Sequence, residues 1–197
     1  SVSAAGDVND DGFDDIIVGA PYGDDGGPEQ GEAYVIFGKG GGFGRVDLSA
    51  LAPADGFIIQ GASYHTGWSV ADAGDVDGDG VDDLLVGAPG VSSGIAYVVY
   101  GRTDGFETVD LSAPVSSSDP RAAGFSPMFG AFQDSRSGAS VASAGDINGD
   151  GLADIIVGAP GVDPFASDGA EAYVIFGKAG GIGYVDFESL EAGEGFV

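Results

Sequence analysis

One ten-residue pattern occurs three times in the chain: GDVNDDGFDD near the start, GDVDGDGVDD at Gly74–Asp83 and GDINGDGLAD at Gly145–Asp154. Each copy places a side-chain oxygen at every second position, then a glycine, then another acid. A solvated strand edge would also alternate in this way. The glycine argues against it, because Gly12, Gly80 and Gly151 directly follow the third acid, where access to positive φ lets the backbone fold back on itself. The acids on either side of the turn then converge, and crowded carboxylates repel unless a cation lies among them. Hard oxygen donors without sulfur or imidazole suit calcium. The pattern therefore reads as three metal cages.

A helix–loop–helix calcium site would close with a Glu at its twelfth position. Here the twelfth positions are Val18, Val86 and Val157, and the closing acid comes at the ninth, as Asp15, Asp83 and Asp154. IIVGAP, LLVGAP and IIVGAP follow at once. These runs are short, rich in branched apolar residues and ended by Gly and Pro, which predicts a buried strand after each cage.

With 197 residues, 43% of them hydrophobic, the chain can bury a core in spite of its acidity. Six Lys and Arg against 32 Asp and Glu give a net charge of −26, which repels nucleic acid and anionic membranes. No apolar run approaches the length of a membrane span, so neither nucleic-acid binding nor membrane insertion is expected. The absence of cysteine removes disulfides and thiol chemistry, so metal and packing must supply stability. Oxygen cages of this kind fill at the calcium levels found outside cells, which favours an extracellular, secreted or cell-surface location.

The first Asp of each loop is Asp7, Asp75 or Asp146, a spacing of 68 and then 71 residues. Within each unit the loop leads to VGAP, then to GEAYVIFG, GIAYVVYG or AEAYVIFG, then to VDLS, VDLS or VDFE, and finally to GFIIQG, GFSPMFG or a terminal GFV. About four strands per unit, separated by Gly-rich turns, predict an all-β chain of propeller blades. The expected divisions are 1–61, 62–130 and 131–197. Ser1-Val2 match Ser69-Val70, and the closing Gly195-Phe196-Val197 match Gly56-Phe57-Ile58. The first blade is thus expected to lack part of its first strand and the third part of its fourth. Three blades fall short of the four to eight of a closed propeller, so the expected whole is larger or is completed by another copy.

With the AGDVDGDG loop, the GAP turn and the YVIFG strand in place, the chain resembles the FG-GAP repeats of integrin α-subunit propellers and of large secreted bacterial proteins. The YVIFGK and GG(F/I)G-x-VD stretches look most like the bacterial branch. The resemblance implies calcium in three loops joining first and second strands. Its ligands would be Asp7, Asn9, Asp11 and Asp15; Asp75, Asp77, Asp79 and Asp83; and Asp146, Asn148, Asp150 and Asp154. The backbone carbonyls of Phe13, Val81 and Leu152 would complete the cages. The Phe-Gly that names the family is replaced by Thr66-Gly67 and Ser137-Gly138, with Trp68 next in line either to compensate by packing or to serve simply as a strand residue. Four carboxylates in the second loop against three in the others imply that the second binds calcium most tightly.

A structural or adhesive interaction module without catalysis is the expected function, with a protein or glycan partner or further blades of the same kind. Variable connections after GAP, YGDDGGPEQ, GVSS and GVDPFASD, lie at the end of the blade opposite the cages, where binding residues tend to collect. The alternatives are a subunit that assembles into an oligomer or fibre through open strand edges, and a metal-dependent hydrolase. His65 is the only histidine, and its place before Thr66-Gly67 reads as a surface turn and not a general base. Phe125, Met128, Phe129 and Phe132 read as fourth-strand core, with docking onto another chain as the alternative.

Overall fold

The computed structural model describes residues 1–24, 27–62, 65–90, 93–115, 120–161 and 170–197. Its strands are β1 (Val2–Gly6), β2 (Asp15–Ala20), β3 (Glu32–Ile36), β4 (Gly56–Gln60), β5 (Ser69–Gly74), β6 (Asp83–Ala88) and β7 (Ile95–Val99), then β8 (Val109–Asp110), β9 (Phe125–Phe129), β10 (Ser140–Gly145), β11 (Asp154–Ala159), β12 (Glu171–Ile175), β13 (Val185–Asp186) and β14 (Gly195–Phe196). Three antiparallel meanders result: β1-β2-β3-β4, β5-β6-β7-β9 and β10-β11-β12-β14. Each is a blade of the β-propeller type, and among the described residues only short 3-10 turns interrupt the strands. Among the described residues no helix is long and apolar enough to cross a membrane.

The branched apolar run after each closing acid shows why the blades stack. Side chains alternate across a strand, so Leu84 and Leu85 point to opposite faces of β6. Leu84 enters a core with Ile17, Val35 and Ile59 of the first sheet, whereas Leu85 enters a second core with Ile155, Val157 and Tyr173 of the third. All six residues of β6 are consequently buried. In β2 only Ile17 of the corresponding pair faces a neighbour, and Ile16 is 38% exposed where Leu84 is 1%. Identical sequence positions thus differ in burial according to which sheet lies alongside.

The VD dipeptides depart from the simple four-stranded expectation. β8 pairs in parallel with β4, with Val109 opposite Ile59 and Asp110 opposite Gln60. β13 pairs in parallel with β9 in the same register, Val185 opposite Met128. Two sheets thereby acquire a fifth, outer strand from the following unit, and Leu111 N–H donates to the Gln60 carbonyl (3.0 Å) to extend the pairing. The Asp of the dipeptide ends the strand: Asp110 Oδ1 accepts from Ser112 N–H (2.9 Å), and Asp186 Oδ1 from Glu188 N–H (3.0 Å). The same cap forms at Asp47, whose Oδ1 accepts from Ser49 N–H (3.2 Å). A local Asx cap of this kind needs no partner sheet.

Thr66 and Ser137, which replace the family's Phe, are fully buried and bridge in parallel to Gly31 and Gly94 of the preceding unit. Backbone pairing thus holds the junction between units. Trp68 is 44% exposed, so it does not fill the space left by Phe. Phe125 and Met128 are core residues of β9, as the fourth-strand reading expects. Phe129 stacks on Tyr184 with centroids 5.0 Å apart, and Phe132 is 37% exposed.

Candidate metal centres

Each acidic loop joins the first and second strands of its sheet. A register shift in the pairing precedes it, between Ala4 and Gly6, Asp72 and Gly74, or Ser143 and Gly145. The expected turn residue takes positive φ in all three: 89° at Gly12, 91° at Gly80 and 92° at Gly151. This geometry aims backbone N–H groups inward at the first acid. Asp7 accepts from Asp11 N–H (3.0 Å) and Gly12 N–H (2.8 Å). Asp75 accepts from Asp79 N–H (3.1 Å) and Gly80 N–H (2.9 Å), and Asp146 from Asp150 N–H (3.1 Å) and Gly151 N–H (2.9 Å). The third acids, Asp11, Asp79 and Asp150, accept from the N–H groups of Phe13, Val81 and Leu152 at 3.0, 2.9 and 2.9 Å.

The closing acid is a clamp between strands. Asp83 is fully buried, and its two oxygens accept from Val76 N–H in the loop and from Gly101 N–H just after β7, both at 2.9 Å. Asp15 does the same with Val8 and Gly38 (3.1 and 2.7 Å), and Asp154 with Ile147 and Gly177 (2.8 and 2.9 Å). Motif matching alone misses this second role. Its signal is the invariable glycine ending YVIFG, YVVYG and YVIFG. A Cβ at Gly38, Gly101 or Gly177 would stand 2.6 to 2.8 Å from the side chain of Phe13, Val81 or Leu152, so only glycine lets the seventh loop residue pack against the third strand.

Burial raises the Asp83 carboxyl to about 8, outweighing its backbone donors, with Asp77 and Asp79 adding repulsion. Asp15 rises to about 6 for the same leading reason. Asp77 is raised as well, first by burial and then by Asp79. Such sites favour a cation that would keep the acids ionised.

The three loops differ in how far their acids converge. Oxygens of Asp75, Asp77 and Asp83 lie within 4.8 Å of one another, and no other trio of acidic or histidine side chains among the described residues does so. In the first and third loops the second ligand position is an asparagine whose amide donates to the third acid: Asn9 Nδ2 to Asp11 Oδ2 (3.2 Å) and Asn148 Nδ2 to Asp150 Oδ2 (2.9 Å). Asp77 has no such donor to offer. Its side chain is fully buried, and its Oδ2 lies 2.7 Å from Arg121 Nε. The same guanidinium also meets Asp79 Oδ2.

His65, with φ of 68°, sits in a turn between the rings of Tyr22 (5.2 Å) and Trp68 (5.7 Å), away from these loops. Parts of the three variable connections, at 25–26, 91–92 and 162–169, lie outside the described residues.

The FG-GAP repeat pattern matches residues 1–36, 66–99 and 137–175, each stretch running from the unit junction through the acidic loop to the third strand. Phosphatidylinositol-glycan-specific phospholipase D of Bos taurus is 34% identical over 164 residues, covering 78% of this chain and 18% of that protein. Integrin alpha pat-2 of Caenorhabditis elegans is 30% identical over 200 residues, 96% of this chain and 14% of the integrin, and integrin alpha-PS5 of Drosophila melanogaster is 31% identical over 163 residues, 81% of this chain and 14% of that protein. The chain spans less than a fifth of the length of these relatives. Three matched repeats and three meanders built on them place the chain in the FG-GAP repeat family.

Proposed function

We propose that the three loops bind calcium and that the chain is a calcium-stabilised, non-catalytic interaction module of a secreted or cell-surface protein. Asp7, Asn9, Asp11 and Asp15 with the Phe13 carbonyl form the first site. Asp75, Asp77, Asp79 and Asp83 with the Val81 carbonyl form the second, and Asp146, Asn148, Asp150 and Asp154 with the Leu152 carbonyl the third. The observation that carries the reading is the convergence of Asp75, Asp77 and Asp83, whose oxygens lie within 4.8 Å of one another at the turn. Carboxylates crowded in this way, two of them buried, repel unless positive charge lies among them. All-oxygen donors in an irregular loop fit calcium better than the strict octahedron of magnesium. When bound, the ion supplies positive charge that pins each first-to-second-strand connection.

Interaction falls to the opposite end of the sheets, where the variable connections lie. Tyr22 and Trp68, 70% and 44% exposed, flank His65 there. Exposed aromatic rings of this kind offer stacking surface to a protein or glycan. The non-catalytic part of the reading is supported by the engagement of the loop acids in clamping and by the place of His65 between aromatic rings.

Self-assembly is the second reading, favoured by the exposed Ile16 and by Val46-Asp47, which forms its cap without the parallel pairing of its two counterparts. A further blade of the same kind would cover both.

Calorimetric titration of chelator-stripped protein tests the first reading. Calcium is expected to bind at or below millimolar concentration, with a gain of far-UV circular dichroism and a higher melting temperature. Saturation at a hundredfold excess over Kd contributes about 2.7 kcal/mol per site. No heat and no thermal shift at millimolar calcium would exclude it. Sedimentation in the same two conditions separates a single chain from an assembly.

A further inference from the structure

We propose that Arg121 is a built-in counter-ion of the second acidic loop, which it holds folded without metal and from which calcium must displace it. The inference rests on the calcium reading of the loops. Arg121 lies in the 3-10 turn Pro120–Ala123, which leads into β9 and is distant in sequence from the loop it serves. Its Nε is 2.7 Å from Asp77 Oδ2, and its Nη2 donates to Asp79 Oδ2. The guanidinium also lies 6.0 Å from the ring centre of Tyr100. One planar group therefore bridges two of the four carboxylates.

Comparison of the loops explains why only the second has this arrangement. The amide of Asn9 or Asn148 serves the third acid of its own loop. Replacing that asparagine with Asp77 removes the donor and adds a buried negative charge. Arg121 restores both at once, donating to Asp79 Oδ2 and setting a positive charge beside Asp77. The second loop with Arg121 carries the same net charge as the others, three carboxylates' worth. Ranking the loops by carboxylates alone omits this cation. The structure assigns the second loop a weaker calcium affinity than its four acids imply, together with the smallest dependence on calcium for its fold.

Native mass spectrometry and calorimetry on the wild-type chain and on Arg121→Met, which keeps the length of the stem over Tyr100, test the assignment. The wild type is expected to fill two sites and to fill a third about tenfold more weakly, since calcium must first displace the guanidinium from two of that loop's carboxylates. Arg121→Met is expected to fill three, and Arg121→Met/Asp77→Asn, which gives the second loop the ligand set of the other two, to keep all three. In chelator, Arg121→Met is expected to melt below the wild type, and Arg121→Lys, which keeps the charge, to melt between them. Three wild-type sites of equal affinity with an unchanged titration in Arg121→Met would overturn the role of Arg121 and leave the calcium reading intact. No ion bound by either protein would overturn both.

Discussion

At the scale of single residues, each acidic loop is held by backbone N–H groups that fix its carboxylates. Gly80 is the pivot of the second loop. Its φ of 91° lies where an L-residue is strained, while the space around it is open. Gly80→Ala should therefore cost about 1–2 kcal/mol through backbone strain alone, measured by denaturant unfolding in excess calcium. A much smaller loss would mean that the turn relaxes freely. Asp83 and Asp15 make the metal-free protein sensitive to pH. Their folded carboxyl values, about 8 and about 6, lie above the ordinary 3.8, so the native state binds the extra protons. The stability they contribute is fully present below about pH 4 and is lost as pH rises through 6 and then 8. In chelator the melting temperature should fall over that window, and saturating calcium should flatten the slope. A rise in stability from pH 5 to 8 in chelator would contradict the burial argument.

At the scale of elements, one strand motif meets different surroundings in successive sheets. Leu84 and Ile16 hold the same place after the closing acid, yet one is 1% exposed and the other 38%. Leu84→Ala should cost about 2–5 kcal/mol by lost burial and cavity formation, and Ile16→Ala less than about 1 kcal/mol. Equal losses would show that Ile16 is covered in solution, which favours the assembling reading. The VD segments carry a second lesson about elements. From sequence they are short strands of their own units, because Val followed by a capping Asp is all that local pattern provides. Their parallel pairing with the preceding sheet joins residues 50 or more positions apart, and no local periodicity reports such a contact.

At the scale of the molecule, hydrophobic cores lie between consecutive sheets, and each connects one unit to the next. An isolated sheet would leave one apolar face wet, so units stabilise one another as neighbours in an array. Parallel outer strands and the buried junctions at Thr66 and Ser137 tie the same neighbours together through the backbone. The acidic loops all lie at one end of their strands, the variable connections at the other.

Loop, strand and repeat were legible without coordinates, because each depends on local chemistry. Alternating oxygens, a glycine at positive φ and a branched apolar run are consequences of neighbours in sequence, and threefold recurrence made them unambiguous. Tertiary structure decided what depends on distant partners. Asp83 became a clamp because Gly101 comes to meet it, and Leu84 was buried while Ile16 was not because only one has a sheet on that side. Arg121 reached Asp79, 42 positions away. Charge counted along the chain cannot include a cation that only folding delivers, since Coulomb interaction depends on separation in space and not in sequence.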